Sequence, residues 1–265
     1  MDNVNKTLYI PLYGKAFVSK RGLFLKDKKA EEIWAAEAFP LKGKSKSKWL
    51  AYYMGIRSAV FDEWLKEQME TAEDALVLHL GCGMDSRILR VGNGTHKWYD
   101  IDFPEVIRER SRYFHETDSY TMLSADVRQP DWLQSIPQSS RAVIVMEGIS
   151  MYLNNDELKK LLLQLSEHFG EVSLLMDCYS NLAAKLSKYK NPINDVGVST
   201  VYGLDDPALP ANSRLTFVKE HDMTPQKYTE QLSGMENNIF RKLYAGNFSK
   251  RLYRLWEYRK TADKI

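Results

Sequence analysis

Cysteine is scarce. The chain holds two, Cys82 and Cys178, which excludes a disulfide framework and a thiolate metal centre. Charge of one sign is scarce as well: 37 basic against 35 acidic residues leave a net charge of +2, too little to imply a strong field for nucleic acid or a membrane surface. No run of 18 apolar residues and no signal-peptide pattern is read, and the expectation is a soluble, cytoplasmic protein. No internal repeat is visible. What is present is 44% hydrophobic and 27% charged, a globular balance, in 265 residues that can bury a large core.

The chain is organised around Ala75-Leu76-Val77-Leu78-His79-Leu80-Gly81-Cys82-Gly83-Met84-Asp85-Ser86-Arg87. An apolar run reads as a strand buried on both faces. It breaks at Gly81 and Gly83, and Asp85 and Ser86 then offer helix N-caps. Strand, glycine turn and helix open a parallel α/β sheet, whose ligands sit beyond the carboxyl ends of the strands. A tight turn without a ligand is the plain alternative, because a lone Gly-x-Gly is weak.

A second strand, 96–101, ends in Asp102, which lies 19 residues after Gly83. Nucleotide-binding βαβ units place an acid about 20 residues on, where it accepts from ribose hydroxyls. Capping of the helix that begins at Pro104 is the competing role, and Asp100 or Asp102 could serve either. The third glycine of the dinucleotide fingerprint is missing, since 81–86 read Gly-Cys-Gly-Met-Asp-Ser. That favours S-adenosylmethionine over a dinucleotide, whose pyrophosphate packs on this turn.

Four blocks follow in order: Gly81 to Arg87, Trp98 to Ile107, Ala125-Asp126-Val127, and Glu147-Gly148-Ile149-Ser150-Met151-Tyr152-Leu153. Together they resemble the leucine carboxyl methyltransferase family, and within it the small bacterial O-methyltransferases of polyketide tailoring, from about residue 12 to 163. The resemblance implies a class I methyltransferase. Its fold would be a Rossmann-like seven-stranded mixed sheet with helices on both faces and an antiparallel last strand. A single domain over 1–265 is expected, with an N-terminal helical cap (1–70) and a lid insertion after strand five (181–212). The resemblance also implies an N-terminal segment over the cofactor with Lys15 near its carboxylate. Arg57 would clamp carboxylate, Asp126 would accept from the adenine amino group, and Val127 would lie against the ring.

Along the chain, 8–12 reads as extended and 28–38 as an amphipathic helix with Ile33 and Trp34 on one side. The lysines at 42, 44, 46 and 48 read as a solvated loop, with a phosphate-facing patch or part of a lid as alternatives. Residues 49–69 form a long helix that puts Arg57 on its apolar stripe, where a guanidinium needs an anion. The helix 104–114 carries Arg108, Arg110 and Arg112 on what reads as its solvated face. Further strands are read at 120–124, 142–146, 172–176, 214–219 and 252–258, and helices at 158–169, from Thr224-Pro225, and at 235–244.

Glu147 ends the fully apolar fourth strand, and a carboxylate there needs a cation: the cofactor's ammonium or Arg57. Cys82 reads as a small apolar residue rather than a reactive thiol. The residues and the resemblance together assign Lys15, Arg57, Gly81, Cys82, Gly83, Asp102, Asp126, Val127, Glu147 and Gly148 to the cofactor, and Arg57 and Tyr152 to the acceptor side, with no metal. A carboxylate acceptor is ionised at neutral pH and needs only positioning, whereas a phenol gains from a base. His79, His96, His115 and Glu147 are the candidate bases, and no histidine ends a strand, so the reading leans toward carboxylate or an acidic hydroxyl on a small molecule. An NAD-linked oxidoreductase and a non-catalytic cofactor-binding protein are the alternatives.

Overall fold

The structure, a computed structural model, describes residues 6–190 and 200–261. Among the described residues seven strands form one sheet: β1 (Leu76–Leu80), β2 (Trp98–Asp102), β3 (Tyr120–Ser124), β4 (Arg141–Met146), β5 (Glu171–Tyr179), β6 (Thr216–His221) and β7 (Tyr253–Lys260). Their order is β3-β2-β1-β4-β5-β7-β6. The first five run parallel, and β7 lies antiparallel between β5 and β6.

The central strands are apolar in both directions because both faces are covered. Val77, Val143, Val145 and Leu175 pack into one core with Leu12, Ile56, Val60 and Phe61. Their neighbours Leu76, Leu78, Ile144 and Leu174 point the other way, into a second core with Leu158, Leu161, Leu162 and Leu165. The alternation is the period-two geometry of a strand.

Three N-terminal helices cover the first face: α1 (Tyr9–Lys20), α2 (Lys28–Glu37) and α3 (Lys48–Thr71). The middle of α3 is buried all round, from Ala51 to Asp62, as expected of a helix between a sheet and other helices. The remaining helices are α4 (Arg87–Val91), α5 (Pro104–Arg110), α6 (Asn155–His168), α7 (Asn181–Lys190), α8 (Gln226–Thr229), α9 (Gly234–Tyr244) and α10 (Asn247–Leu252). Helix α6 opens on a capping box, with Asn154 accepting from the Glu157 amide and Glu157 from the Asn154 amide.

Three local expectations are corrected. Residues 8–12 are helical rather than extended: Pro11 falls in the first turn of α1, where an amide has no intrahelical partner to lose. Ser86 makes no cap bond at α4; its hydroxyl goes to the Asp27 carboxylate. Helix α5 ends at Arg110, and Arg110 is fully buried rather than part of a solvated face, while Arg108 and Arg112 are exposed. Of the expected insertion 181–212, residues 191–199 lie outside the described residues. The lysines from 42 to 48 are exposed around a 3-10 turn at Gly43–Lys46. Among the described residues no helix is long and apolar enough to cross a membrane.

Candidate active site

A cavity of about 1040 Å³ opens at the carboxyl ends of β1, β2 and β4. Its size suits a ligand larger than most single small molecules, whose pockets run roughly 300–1,000 Å³. The glycine turn forms part of its wall. Gly81 and Gly83 both hold positive φ, +67° and +50°, and a Cβ on Gly81 would sit 2.9 Å from the Ile149 side chain. Only glycine takes that path without strain.

The turn is bonded on both sides. The Gly81 amide donates to Ile101 O (2.8 Å), and the Gly83 amide donates to Asp102 Oδ2 (2.8 Å). Asp102 Oδ1 accepts from the Phe103 amide at 2.8 Å. Asp102 therefore ties the turn to the end of β2 and is not the cap of α5. Each oxygen keeps further lone pairs beside the cavity. Burial raises the Asp102 pKa above the usual carboxylate range, against the two amides.

Asp100 lies deeper and does not line the cavity. Its carboxylate is fully buried with Arg110, the Tyr120 hydroxyl (2.7 Å) and the Trp98 indole (2.8 Å), and His79 Nδ1 is 3.2 Å away. Burial alone would raise its pKa, but Arg110, His79 and the Trp98 indole together outweigh that and hold it at about 2. Arg110 in turn donates to Gly83 O (3.0 Å) and Asp85 O (2.7 Å), gripping the turn from beneath.

On the other side of the turn runs a buried file of alternating charge. Lys15 Nζ lies 3.2 Å from Asp85, Asp85 lies 3.3 Å from Arg87, and Arg87 pairs with Glu147. Glu147 Oε1 accepts from Arg57 Nε (2.9 Å) and Ser58 Oγ (2.9 Å), and Arg57 Nη1 lies 3.1 Å from Asp177. Buried charges persist only when paired in this way. Burial works to raise the pKa of Glu147 and Asp85. Arg57 and Arg87 hold Glu147 well below the usual range, and Arg87, Lys15 and Arg90 do the same for Asp85.

Lys15, Arg57, Glu147 and Gly148 line the cavity, as do Gly81, Cys82 and Gly83. Asp102, Asp126, Val127 and Tyr152 line it too, so every residue assigned to the cofactor or the acceptor side meets one space; of the candidate histidine bases His79 lines it and His96 and His115 do not. Asp126 is held by Arg128, with Nη2 at 2.6 Å. Tyr152 sits on a 3-10 turn after β4, and burial pushes its phenol pKa up. Burial likewise pushes the Cys82 thiol well up. Of the two cations read for Glu147, Arg57 is paired with it, joined by Arg87, and Arg57 spends Nε and Nη1 on protein acceptors.

Sequence reasoning missed Arg87, Arg110, Asp177 and Tyr253. Asp177 carried a readable signal, an acid at the end of an apolar strand, as Glu147 does. Tyr253 carried none, because only the pairing of β7 with β5 brings it to the cavity.

The sheet order and site geometry define a class I methyltransferase fold. A solved putative methyltransferase from Thermobifida fusca matches it with a TM-score of 0.58 at 14% identity over 94% of both chains. Magnesium protoporphyrin IX methyltransferase from Synechocystis, with S-adenosylhomocysteine bound, matches with a TM-score of 0.52 at 10% identity, over 94% of this chain and 100% of that one. At these identities the likeness is one of fold. The sequence profile described as leucine carboxyl methyltransferase matches residues 3–166, and the chain belongs to that family. The tetracenomycin polyketide synthesis O-methyltransferase TcmP of Streptomyces glaucescens is 33% identical over 153 residues, 57% of each chain. The S-adenosyl-L-methionine-dependent methyltransferase dpfgK of Gibberella zeae is 28% identical over 182 residues, 62% of this chain and 60% of that one. The aligned region thus spans about three fifths of the length of these curated relatives.

Proposed function

We propose that the protein transfers a methyl group from S-adenosylmethionine to an oxygen, carboxylate or acidic hydroxyl, of a small-molecule acceptor, leaving S-adenosylhomocysteine. The observation that carries this is the convergence of the glycine turn, Asp102 and the buried charge file on one cavity at the carboxyl ends of parallel strands. The name of dpfgK supports methyl transfer from S-adenosylmethionine, and the name of TcmP supports transfer to oxygen on a polyketide-type acceptor.

The residues fit the cofactor. Asp102 keeps lone pairs for ribose hydroxyls after accepting two amides. Val127 and Asp126 stand beside it for the base, where Asp126 would accept from an amino group and Val127 would cover an apolar face. Lys15 lies at the Asp85 end of the charge file, for a carboxylate. Gly81, Cys82 and Gly83 keep the turn thin enough for close approach. When bound, the cofactor supplies an electrophilic methyl on sulfonium sulfur. The protein's own part is positioning: Arg57 and Tyr152 fix the acceptor, and helices α1 and α3 wall the cavity on the N-terminal side. Positioning of reactants alone lowers such barriers by several kcal/mol.

Calorimetric titration with S-adenosylmethionine, S-adenosylhomocysteine and NAD, on the wild type and on Asp102→Ala, tests the reading. The expected result is micromolar binding of the first two, lost in the variant. Binding of NAD instead would replace the reaction with hydride transfer. Cofactor binding without methyl transfer to any acceptor would leave a non-catalytic binding protein.

A further inference from the structure

Asp177 and Tyr253 stand behind Arg57, and both lie beyond the stretch 3–166 that the family profile matches. Asp177, near the end of β5, is fully buried and does not line the cavity. Its Oδ1 accepts the Gly148 amide at 2.7 Å, and its Oδ2 accepts the Tyr253 hydroxyl. Its backbone oxygen accepts the Ser150 hydroxyl. Tyr253, at the start of β7, accepts in turn from Arg57 Nη1 at 2.6 Å, and that nitrogen lies 3.1 Å from Asp177 Oδ2. The register of β5 with β7 sets Asp177 opposite Leu255, so Tyr253 is its diagonal neighbour on the same face.

These bonds decide which edge of the guanidinium is left over. Nε is spent on Glu147 Oε1 at 2.9 Å, and Nη1 on Tyr253 and Asp177. Nη2 makes no hydrogen bond among the described residues, and it is not one of their enclosed unpaired polar atoms. Arg57 lines the cavity, so Nη2 is the nitrogen it presents there. A guanidinium is planar, and fixing two of its nitrogens fixes the third. Nη2 carries two N–H bonds, enough to meet a cofactor group on one side and the acceptor on the other.

The neighbours of Nη2 belong to the cofactor's side of the cavity. A Cβ on Gly148 would stand 3.5 Å from Nη2, so the guanidinium lies against the turn that follows β4. The next residue, Ile149, packs on Gly81 and so joins that turn to the glycine turn. Glu147 stands beside the guanidinium, and its Oε2, which accepts from Arg87 alone, keeps a lone pair. A cation and an anion side by side complement an amino acid group, which carries its carboxylate and its ammonium on one carbon.

We propose that Asp177 and Tyr253 are positioning residues for the cofactor: by taking up Arg57 Nη1 they hold Nη2 toward the cofactor's methionine carboxylate, beside Lys15. Through the Gly148 amide, Asp177 also keeps the turn after β4 in place against the guanidinium. This rests on the methyltransferase reading above. The pair acts through Arg57 and not on the methyl group or the acceptor, so its signature is a preference for a carboxylated ligand rather than a change in the reacting atoms.

The test compares S-adenosylhomocysteine with its decarboxylated analogue, S-adenosyl-3-thiopropylamine, by calorimetry, with displacement titrations for the weaker ligand. The proteins are wild type, Tyr253→Phe, Asp177→Asn, Arg57→Lys and the double variant Arg57→Lys with Tyr253→Phe. The wild type should prefer the carboxylated ligand. Tyr253→Phe should lower S-adenosylhomocysteine affinity about tenfold, the scale of one hydrogen bond to a charged group, and leave the analogue within about twofold. Asp177→Asn, which can still accept the Gly148 amide, should show the same selective loss; if it fails to fold, Tyr253→Phe decides. On the Arg57→Lys background Tyr253→Phe should change neither affinity, because a residue that acts through another adds nothing once that one is gone. An equal loss for both ligands would mean that the pair only supports the wall and would overturn the proposal. So would an unchanged S-adenosylhomocysteine affinity in Tyr253→Phe, a loss as large on the Arg57→Lys background as on wild type, or a wild type that binds both ligands equally. A wild type that binds neither ligand overturns the methyltransferase reading itself.

Discussion

Arg110 lies fully buried under the glycine turn and donates to the carbonyl oxygen of Gly83 at 3.0 Å. The same nitrogen, Nη1, also reaches Asp85 O, while Nε reaches Tyr120 and Nη2 reaches Asp100. One side chain thus joins the end of α5, the strands β2 and β3, and the turn that faces the cavity. Arg110→Met would leave Asp100 as an unpaired buried carboxylate, and loss of one partner of a buried pair costs about 3–5 kcal/mol. Arg110→Lys keeps the charge but not the planar fork. We expect Met to lower the urea midpoint sharply. Lys should lower it less while weakening S-adenosylhomocysteine binding tenfold or more by calorimetry. Equal affinity in Lys and wild type would show that the grip on the carbonyls does not set the turn.

The glycines allow strain and crowding to be told apart. Gly94 has φ +78° and open space where a Cβ would go, so Gly94→Ala meets only the left-handed strain, about 1–2 kcal/mol. Gly81→Ala carries the same strain and also drives a Cβ to 2.9 Å from Ile149. Thermal unfolding should rank Gly81→Ala below Gly94→Ala, and only the former should lose cofactor affinity.

Most of the sheet was legible because its strands are buried on both faces, which leaves short apolar runs between glycine, proline and charged turns. The spacing of 19 residues from Gly83 singled out Asp102 at the end of the second strand, and the structure ties its carboxylate to the Gly83 amide. Helix α1 was not legible, since Pro11 reads as a breaker unless its place in the first turn is known. Arg110 was missed for a different reason. Three arginines at alternate positions of a short helix look solvated, and only the fold-back of α5 under the turn buries the middle one. The cavity tyrosines Tyr53, Tyr179, Tyr244 and Tyr253 were hidden because they come from α3, β5, α9 and β7, elements far apart in sequence that share no local pattern.

Stability should fall in acid, and the sign follows from the carboxylates. Asp100 is held at about 2 in the folded protein against an ordinary 3.8, and Glu147 and Asp85 lie below the usual range too. Between the folded and unfolded values the unfolded chain binds more protons, so stability rises with pH there. These contributions are complete above the unfolded pKa, and are lost as pH drops through about 4 toward 2. For Asp100 alone the term is about 2 kcal/mol, at 1.36 kcal/mol per pKa unit. Asp102 and Asp177 have raised values and act in the opposite sense, stabilising at low pH and losing that term as pH rises through their folded pKa. Urea midpoints from pH 3 to 7 should therefore climb, and Asp100→Asn should flatten the climb; a variant with an unchanged slope would remove Asp100 from the account.

The charge file from Lys15 to Asp177 implies that an interior member matters more to stability than an end member. Glu147 sits between Arg57 and Arg87, with Ser58 completing its shell. Glu147→Gln removes the anion shared by two buried guanidiniums at once, leaving Arg57 with Asp177 and Arg87 with Asp62 and Asp85. The expected cost is about 3–5 kcal/mol, as for other broken buried pairs. Lys15 is an end member, and without it Asp85 keeps Arg87 and Arg90 as partners. Lys15→Met, which preserves the buried stem, should therefore cost far less in thermal unfolding. Its larger effect should be on S-adenosylmethionine affinity, because Lys15 also faces the cavity. If Lys15→Met proved as destabilising as Glu147→Gln, the file would be acting as one unit rather than as neighbouring pairs, and a double variant would then cost much less than the sum of the two.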